Sequence, residues 1–426
     1  MPPSLSRPQP YRLRQPPHTM TTTIVLIFLV VYLGMILGGL PFLQLDRTGV
    51  ALLGAIALLG IDALTPEQAV AAVHLPTIML LFSFMVISAQ MRLGGFYDWV
   101  TRRLAALAIQ PPQLLAVLIA VTAALSAVFS NDIVCLAMAP VLVDACKQRR
   151  LAPVPFLLAL ACAANIGSAA TLIGNPQNML IGQSLRLPFA GYFLDALPPV
   201  LLGLVLSWAV IAWLYRGRWQ AADNAAGDDS PREDVPFDAW QTGKGLAVAL
   251  ALLVGFLLAP WPAEHLALIG AGLLLMSRKL HSRHMLGLVD WELLVLFVSL
   301  FVVNSALQHT GVTAQAIASL ASAGVDLSHT GTLFAATFLL SNVVSNVPAV
   351  MLLLPVTPAE GGGLLLALVS TLAGNLLIVG SIANIIVVDA AARRGVAIDW
   401  RVHARVGVPV TLLTLAASAG YLLLCF

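Results

Sequence analysis

The sequence repeats itself. With an offset of 216 residues, ALLGAIALL (51–59) falls on ALIGAGLLL (267–275), and Gly54, Ser83 and Gly95 fall on Gly270, Ser299 and Gly311. With an offset of 215, SAVFSNDIVCLAMAP (126–140) falls on SNVVSNVPAVMLLLP (341–355). That alignment pairs Ser126, Ser130, Asn131 and Pro140 with Ser341, Ser345, Asn346 and Pro355. With an offset of 206, GNPQN (174–178) falls on GSIAN (380–384). Three matches in one order mark an internal duplication, so the fold must be two copies of a single architecture.

Those copies are too apolar for water. Of 426 residues, 59% are hydrophobic and 10% are charged, where soluble domains carry roughly a quarter charged. The 20 acids and 22 Lys/Arg cannot skin a soluble globule of this length, which excludes a soluble enzyme, a disordered chain and a nucleic-acid binder. A net charge of +2 names no acidic partner. The chain reads as an all-α polytopic membrane protein whose surroundings are the lipid bilayer. At about 20 residues per span it has room for ten or so membrane segments. Cys135, Cys146, Cys162 and Cys425 lie in apolar stretches without a CxxC pair and read as small core side chains.

Residues 1–22 are polar, Pro-rich and carry Arg7, Arg12 and Arg14, and are expected to be disordered. Residues 216–241 form one long polar linker between two membrane repeats, 23–215 and 242–426. The basic loops then exchange places between the repeats. Arg102 and Arg103, and Lys147, Arg149 and Arg150, have counterparts near 318–329 and 357–363 that hold no Lys or Arg. Conversely, 62–76 has neither, whereas its counterpart reads SRKLHSRH. Because Lys and Arg prefer the cytoplasmic side, this exchange is the mark of inverted-topology repeats. The N-terminal arginines sit on the other side in this scheme, and the internal clusters outweigh them.

Two basic clusters on one side require the apolar stretch between them, about 112–146, to enter and leave by the same face. It reads as a re-entrant helical hairpin broken at Ser130-Asn131-Asp132. Its partner, about 330–356, has its tip at Ser345-Asn346. Segments 154–186 and 362–392 contain Asn165, Gly174, Asn175 and Asn178, and Asn375, Ser381 and Asn384, in apolar surroundings. They read as broken helices, because Asn and Gly disfavour a continuous helix. Irregular backbone at membrane depth is tolerated only where it is buried or lines a cavity. Paired breaks in two halves therefore point to a transport site. Half-helix N-termini suit an oxyanion, and Asn and Ser oxygens suit Na⁺. Ser126, Ser341, Ser168 and Thr171 lie nearby in sequence and read equally well as packing groups.

Asp132 is the only carboxylate expected near the membrane centre, and Val347 stands opposite it in the repeat. An intramembrane carboxylate marks a coupling residue for H⁺ or Na⁺, although Asp also caps helices well. Asp389, Asp290, Glu292, His281 and His284 read as interfacial groups, and His309 is a lone histidine with room to line a path. Without a phosphate loop, HExxH or GxSxG, the chain is not expected to be an enzyme or ATPase. Transport would then be driven by an ion gradient or the membrane potential.

FSNDIVCLAMAPVLVDA, NIGSAATLIGNPQNMLIG and SNVVSNVPAVMLLLP resemble the ion transporter superfamily, which includes arsenite permeases, citrate transporters, sodium-coupled anion symporters and one class of Na⁺/H⁺ antiporters. The likeness runs from about residue 23 onward. It implies a homodimer with scaffold and transport domains that works by an elevator motion. It also implies substrate and Na⁺ sites at Ser130, Asn131, Asn165, Gly174, Asn175, Asn178, Ser345, Asn346, Asn375, Ser381 and Asn384. The dicarboxylate branch has Ser-Asn-Thr at both tips. Here Asp132 and Val347 take the third place, which is more similar to the arsenite permease branch. The expected function is secondary transport of a small anion, an arsenite-like oxyanion or citrate/dicarboxylate, across the cytoplasmic (inner) membrane. Coupling would be to H⁺ or Na⁺ with no other cofactor, and a Na⁺/H⁺ antiporter is the alternative.

The inverted arrangement is testable by single-cysteine labelling in oriented vesicles, on a background with the four native cysteines replaced. Cysteines at 103, 149 and 283 should react only from the cytoplasmic side, and cysteines at 68 and 360 only from the opposite side. Labelling of 103 and 283 from opposite sides would make the repeats parallel.

Overall fold

The computed structural model describes residues 18–39, 43–220, 236–259 and 261–425. Among these residues the structure is helical, with two isolated β-bridges and no strand. The first half contains α1 (His18–Leu37), α2 (Arg47–Gly60), α3 (Pro66–Ala72), α4 (Leu75–Leu93), α5 (Phe96–Ala105), α6 (Pro111–Val128), α7 (Asn131–Gln148), α8 (Pro153–Ser168), α9 (Pro176–Ser184) and α10 (Phe189–Leu214). The second contains α11 (Ala239–Leu258), α12 (Ala263–Leu275), α13 (Ser282–Leu286), α14 (Trp291–His309), α15 (Val312–Ser322), α16 (Thr330–Val344), α17 (Asn346–Leu353), α18 (Gly362–Ala373), α19 (Ile382–Ala392) and α20 (Trp400–Cys425). The two lists match element for element.

Local chemistry repeats as well. Gly95 and Gly311 have φ of 69° and 75° and open α5 and α15 from the left-handed region, which glycine enters without a Cβ penalty. Ser83 and Ser299 each donate to the carbonyl four residues back at 2.7 Å, the usual way to satisfy a hydroxyl inside an apolar helix. Prolines interrupt α10 at Pro198 and Pro199 and α20 at Pro409.

Among the described residues seven helices are long and apolar enough to cross a membrane: α1, α4, α6, α10, α11, α14 and α20. One of them, α6, is an arm of a hairpin, because α7 starts at Asn131 only three residues beyond its end. Its 18 residues correspond to about 27 Å. Counting α8–α9 and α18–α19 as one broken span each, and adding α2 and α12, each repeat crosses five times beside its hairpin. An odd number of crossings inverts the second repeat. The chain is thus an all-α polytopic membrane protein of two inverted repeats with two re-entrant hairpins.

Two compact units emerge, one of residues up to 74 with 295–326 and one of 75–294 with 327–426. Within the first, α1 packs on α2, and Tyr32 Oη donates to Asn304 Oδ1 at 3.0 Å. The second holds both hairpins and both broken helices. In it, α12 and α11 pack on α4, and Gln90 Nε2 donates to Gln241 Oε1 at 2.9 Å. At one end of this unit the Arg394 guanidinium pairs with Asp144 at 3.2 Å, and Lys147 donates to the Arg394 carbonyl at 3.0 Å, tying α7 to the end of α19.

Two boundaries differ from the sequence reading. The disordered tail expected over 1–22 lies outside the described residues only as far as 17, and α1 already begins at His18. The polar residues 18–22 extend the apolar helix by a further turn. Likewise, α11 begins at Ala239 inside the expected 216–241 linker, because the Asp238 carboxylate accepts from the amides of Trp240 and Gln241. Residues 221–235 of that linker lie outside the described residues.

Gly95→Ala and Gly311→Ala should each destabilise by about 1–2 kcal/mol, the cost of a left-handed L-residue. Gly272→Ala, inside α12 with open space around the new methyl group, should be neutral or slightly stabilising. Unfolding midpoints in detergent check this, and equal midpoints for all three would remove the role assigned to the two caps.

Candidate functional site

The breaks in α8–α9 and α18–α19 carry a connected network of buried polar side chains. Each break leaves backbone carbonyls with no helical partner, and with no water to satisfy them they must find donors. One asparagine per break supplies them. Asn178 Nδ2 donates to the carbonyls of Thr171 (2.9 Å) and Ser168 (3.4 Å). Asn384 Nδ2 donates to those of Leu377 (3.0 Å) and Gly374 (2.8 Å). These are equivalent atoms at the 206-residue offset, so the duplicated asparagines brace duplicated breaks.

The two breaks then bind each other reciprocally. Asn165 Nδ2 donates to Asn384 Oδ1 at 3.2 Å, and Ser381 Oγ donates to Asn165 Oδ1 at 2.9 Å. In the mirror position Thr371 Oγ1 donates to Asn178 Oδ1 at 3.5 Å, and Asn175 Nδ2 donates to Thr371 Oγ1 at 3.2 Å. Thr371 is the counterpart of Asn165 at the same offset. Asn165 Nδ2 also reaches Asn375 Oδ1 at 2.8 Å. Within the first repeat Ser168 Oγ links α8 to the start of α9, donating to the Asn165 carbonyl and accepting from Asn175 Nδ2. All of these side chains are buried.

The hairpin tips join from two sides. Asn131 Nδ2 donates to Asn165 Oδ1 at 3.3 Å, and its amide approaches the Gly174 carbonyl at 3.4 Å. Gly174 has no room for a side chain, because a Cβ would strike the backbone of Ser168 and Ser126. Asn346 approaches the other break, with Nδ2 3.2 Å from where a Cβ on Gly374 would stand. Several buried polar atoms have no partner: Asn131 Oδ1, Asn346 Oδ1, Asn375 Nδ2, Ser126 Oγ and Ser341 Oγ. Orphaned polar atoms in a protein interior need an explanation, and a polar solute that uses both donors and acceptors is one. Four half-helices, α7, α9, α17 and α19, also begin at these breaks and tips.

The tips are not equivalent. Ser345 has φ 78° and ψ 161°, a region that is strained for any residue except glycine by about 1–3 kcal/mol. Ser130 has an ordinary φ of −56°, and its amide donates to Ser88 Oγ at 3.4 Å. Asp132 lies in the first turn of α7, half-buried. Among the described residues it makes no hydrogen bond or ion pair, and its carboxylate lies within electrostatic range of Asp290.

Of the residues singled out in the sequence, Asn131, Asn165, Asn175, Asn178, Asn375, Ser381 and Asn384 form one hydrogen-bonded cluster, and Gly174 adjoins it. Asn346 stands beside it, while Ser130, Ser345 and Asp132 make no side-chain bond to it. Thr371 was not singled out, nor were Ser88, Gln177 and Tyr192. Gln177 Nε2 donates to Thr371 Oγ1 and Tyr192 Oη to the Ala169 carbonyl. Thr371 was legible from the offset that pairs GNPQN with GSIAN, since it maps onto Asn165. Gln177 lies inside the repeated GNPQN stretch, and nothing in the sequence marked Ser88 or Tyr192. Among the described residues no group of three His, Cys, Asp or Glu side chains is set to hold a metal ion.

The chain is similar to known membrane transporters. A family model described as citrate transporter matches residues 24–373. A silicon efflux transporter of Oryza sativa subsp. japonica is 30% identical over 450 residues, which cover 88% of this chain and 92% of that protein. The inner membrane protein YbiR of Escherichia coli is 29% identical over 367 residues, covering 84% and 90%. The crystal structure of the YdaH transporter of Alcanivorax borkumensis superposes with a TM-score of 0.56 at 14% identity, across 96% of this chain and 97% of that one, a likeness of fold alone. The family match covers both hairpins and the first break and ends with α18, so this chain belongs to the citrate transporter family of multi-pass membrane transporters.

Proposed function

We propose that the protein is a secondary transporter of a small hydroxylated inorganic acid of the arsenite or silicic acid type. The observation that carries this reading is the make-up of the crossing between the two broken helices. Amides and hydroxyls line it, both donors and acceptors among them are unpartnered, and no Lys or Arg belongs to it. Citrate or a dicarboxylate brings two or more negative charges, and burying those without a cation is costly. A neutral polyhydroxy acid needs only the mixed donors and acceptors present here. It also tolerates the nearby Asp132 better than a dianion would. The silicon efflux relative agrees with this class of solute.

In this reading Ser130, Asn131, Ser345 and Asn346 close on the solute from the two tips, and Asn375 Nδ2 presents a donor from the second break. Asp132 exchanges H⁺ or Na⁺ and couples transport to the gradient, since a carboxylate without a partner at membrane depth is a natural site for either. The compact second unit, with both hairpins and both breaks, would carry the solute in an elevator motion. A homodimer in the cytoplasmic membrane completes the proposal.

Uptake by purified protein in liposomes tests it, with arsenite, silicic acid, phosphate, sulfate, citrate and succinate under imposed pH or Na⁺ gradients. Arsenite or silicic acid should accumulate with one gradient, and Asp132→Asn should lower gradient-driven accumulation about tenfold, which is about 1.4 kcal/mol. Uptake of citrate alone would overturn the solute class. Full coupling in Asp132→Asn would move the coupling role elsewhere.

A further inference from the structure

Beside the crossing, α10 and α20 each send one buried polar side chain to the same place in their repeat. Tyr192 Oη, on α10, donates to the Ala169 carbonyl at 2.8 Å. His403 Nε2, on α20, lies 3.1 Å from the Asn375 carbonyl. A carbonyl oxygen only accepts, so Nε2 carries the proton and donates. Ala169 and Asn375 are equivalent residues at the 206-residue offset, each just beyond the end of its half-helix, α8 or α18. Tyr192 and His403 are 4% and 2% exposed, so each bond is shielded from water.

The neighbouring turn of α20 is cut to fit. A Cβ on Gly407 would strike the Asn375 carbonyl and come within 2.9 Å of His403 Nε2. Glycine there lets the carbonyl reach the imidazole. In the first repeat the phenol serves twice, since Asn178 Nδ2 donates to Tyr192 Oη at 3.1 Å. In the second, the residue being held bears the unpartnered amide Nδ2 of Asn375. Fixing the Asn375 carbonyl therefore fixes the backbone from which a free donor projects into the crossing.

We propose that Tyr192 and His403 are positioning residues: each pins the carbonyl at the end of one half-helix and so sets the geometry of that break, and His403 orients Asn375 for the solute. The orienting role rests on the reading that the solute binds at the crossing; the pinning does not. Gln in place of His keeps an N–H able to reach the carbonyl, whereas Leu keeps the bulk and loses the donor.

Hydrogen exchange of the solute-free protein in detergent reads the pinning directly, because local opening exposes amides that the break protects. In His403→Leu, residues 374–384 should exchange about tenfold faster than in wild type, with 168–178 unchanged. His403→Gln should stay near wild type, and Tyr192→Phe should loosen 168–178 instead. In liposomes, His403→Leu should raise the half-saturating arsenite concentration about tenfold at a maximal rate within about twofold of wild type, with rescue by Gln. If His403→Leu does not fold, Gly407→Ala displaces the same carbonyl and should loosen the same stretch. Wild-type exchange over 374–384 in His403→Leu or Gly407→Ala, or a Gln variant as loose as Leu, overturns the proposal. Exchange that responds as expected in a protein that transports neither arsenite nor silicic acid leaves the pinning in place and refutes the solute reading instead.

Discussion

An interrupted helix inside a membrane must satisfy its own backbone, and the rest of this structure depends on how that is done. Two asparagine amides, Asn178 and Asn384, each bridge a pair of carbonyls across a break. An unsatisfied carbonyl in hydrocarbon would cost several kcal/mol, so these amides are a condition for having a break at all. Once the Nδ2 groups are committed to the backbone, the Oδ1 atoms can only accept. They accept from the opposite repeat, Asn178 from Thr371 and Asn384 from Asn165. Bracing of each break and docking of the two breaks are therefore one hydrogen-bond system.

This arrangement separates side chains of the same type into those whose hydrogen-bonding capacity is spent and those with capacity left. Asn178 and Asn384 have their amide hydrogens spent, whereas Asn375 keeps an unpartnered Nδ2 and Asn131 and Asn346 keep unpartnered Oδ1 atoms. The asparagines that brace the backbone gaps have no donor left, and Asn375, Asn131 and Asn346 retain hydrogen-bonding capacity. The hairpin tips share this layout but not its details. Tip one has an ordinary backbone and Asp132, while tip two has a strained Ser345 and an apolar Val347. Duplication thus supplied a symmetric frame in which the tip carboxylate and the strained tip backbone each occur in one repeat only.

Much of this was legible in the sequence for a physical reason. Positions that demand a special backbone tolerate few residues, so Gly95 and Gly311 at left-handed caps, and the Asn and Gly of the two breaks, survive divergence of the surrounding apolar helices. The broken helices, the hairpins and seven of the cluster residues followed from those signals. Thr371 did not stand out because a threonine in an apolar helix commonly bonds its own backbone. Only its register with Asn165 reveals the cross-repeat role. Tyr192 and His403 reach the breaks from other helices, and no spacing pattern encodes those contacts. The left-handed backbone of Ser345 is equally silent, since a serine there contradicts the glycine that such a φ leads one to expect.

The central claim is that the solute sits at the crossing of the two breaks, and arsenic reports its own position by anomalous scattering. Crystals of the protein soaked in arsenite and measured at the arsenic absorption edge should show one strong peak within hydrogen-bonding reach of Asn375 Nδ2 and of Asn131 or Asn346. A peak away from both breaks and both hairpin tips, or none at concentrations that saturate uptake, would contradict the account.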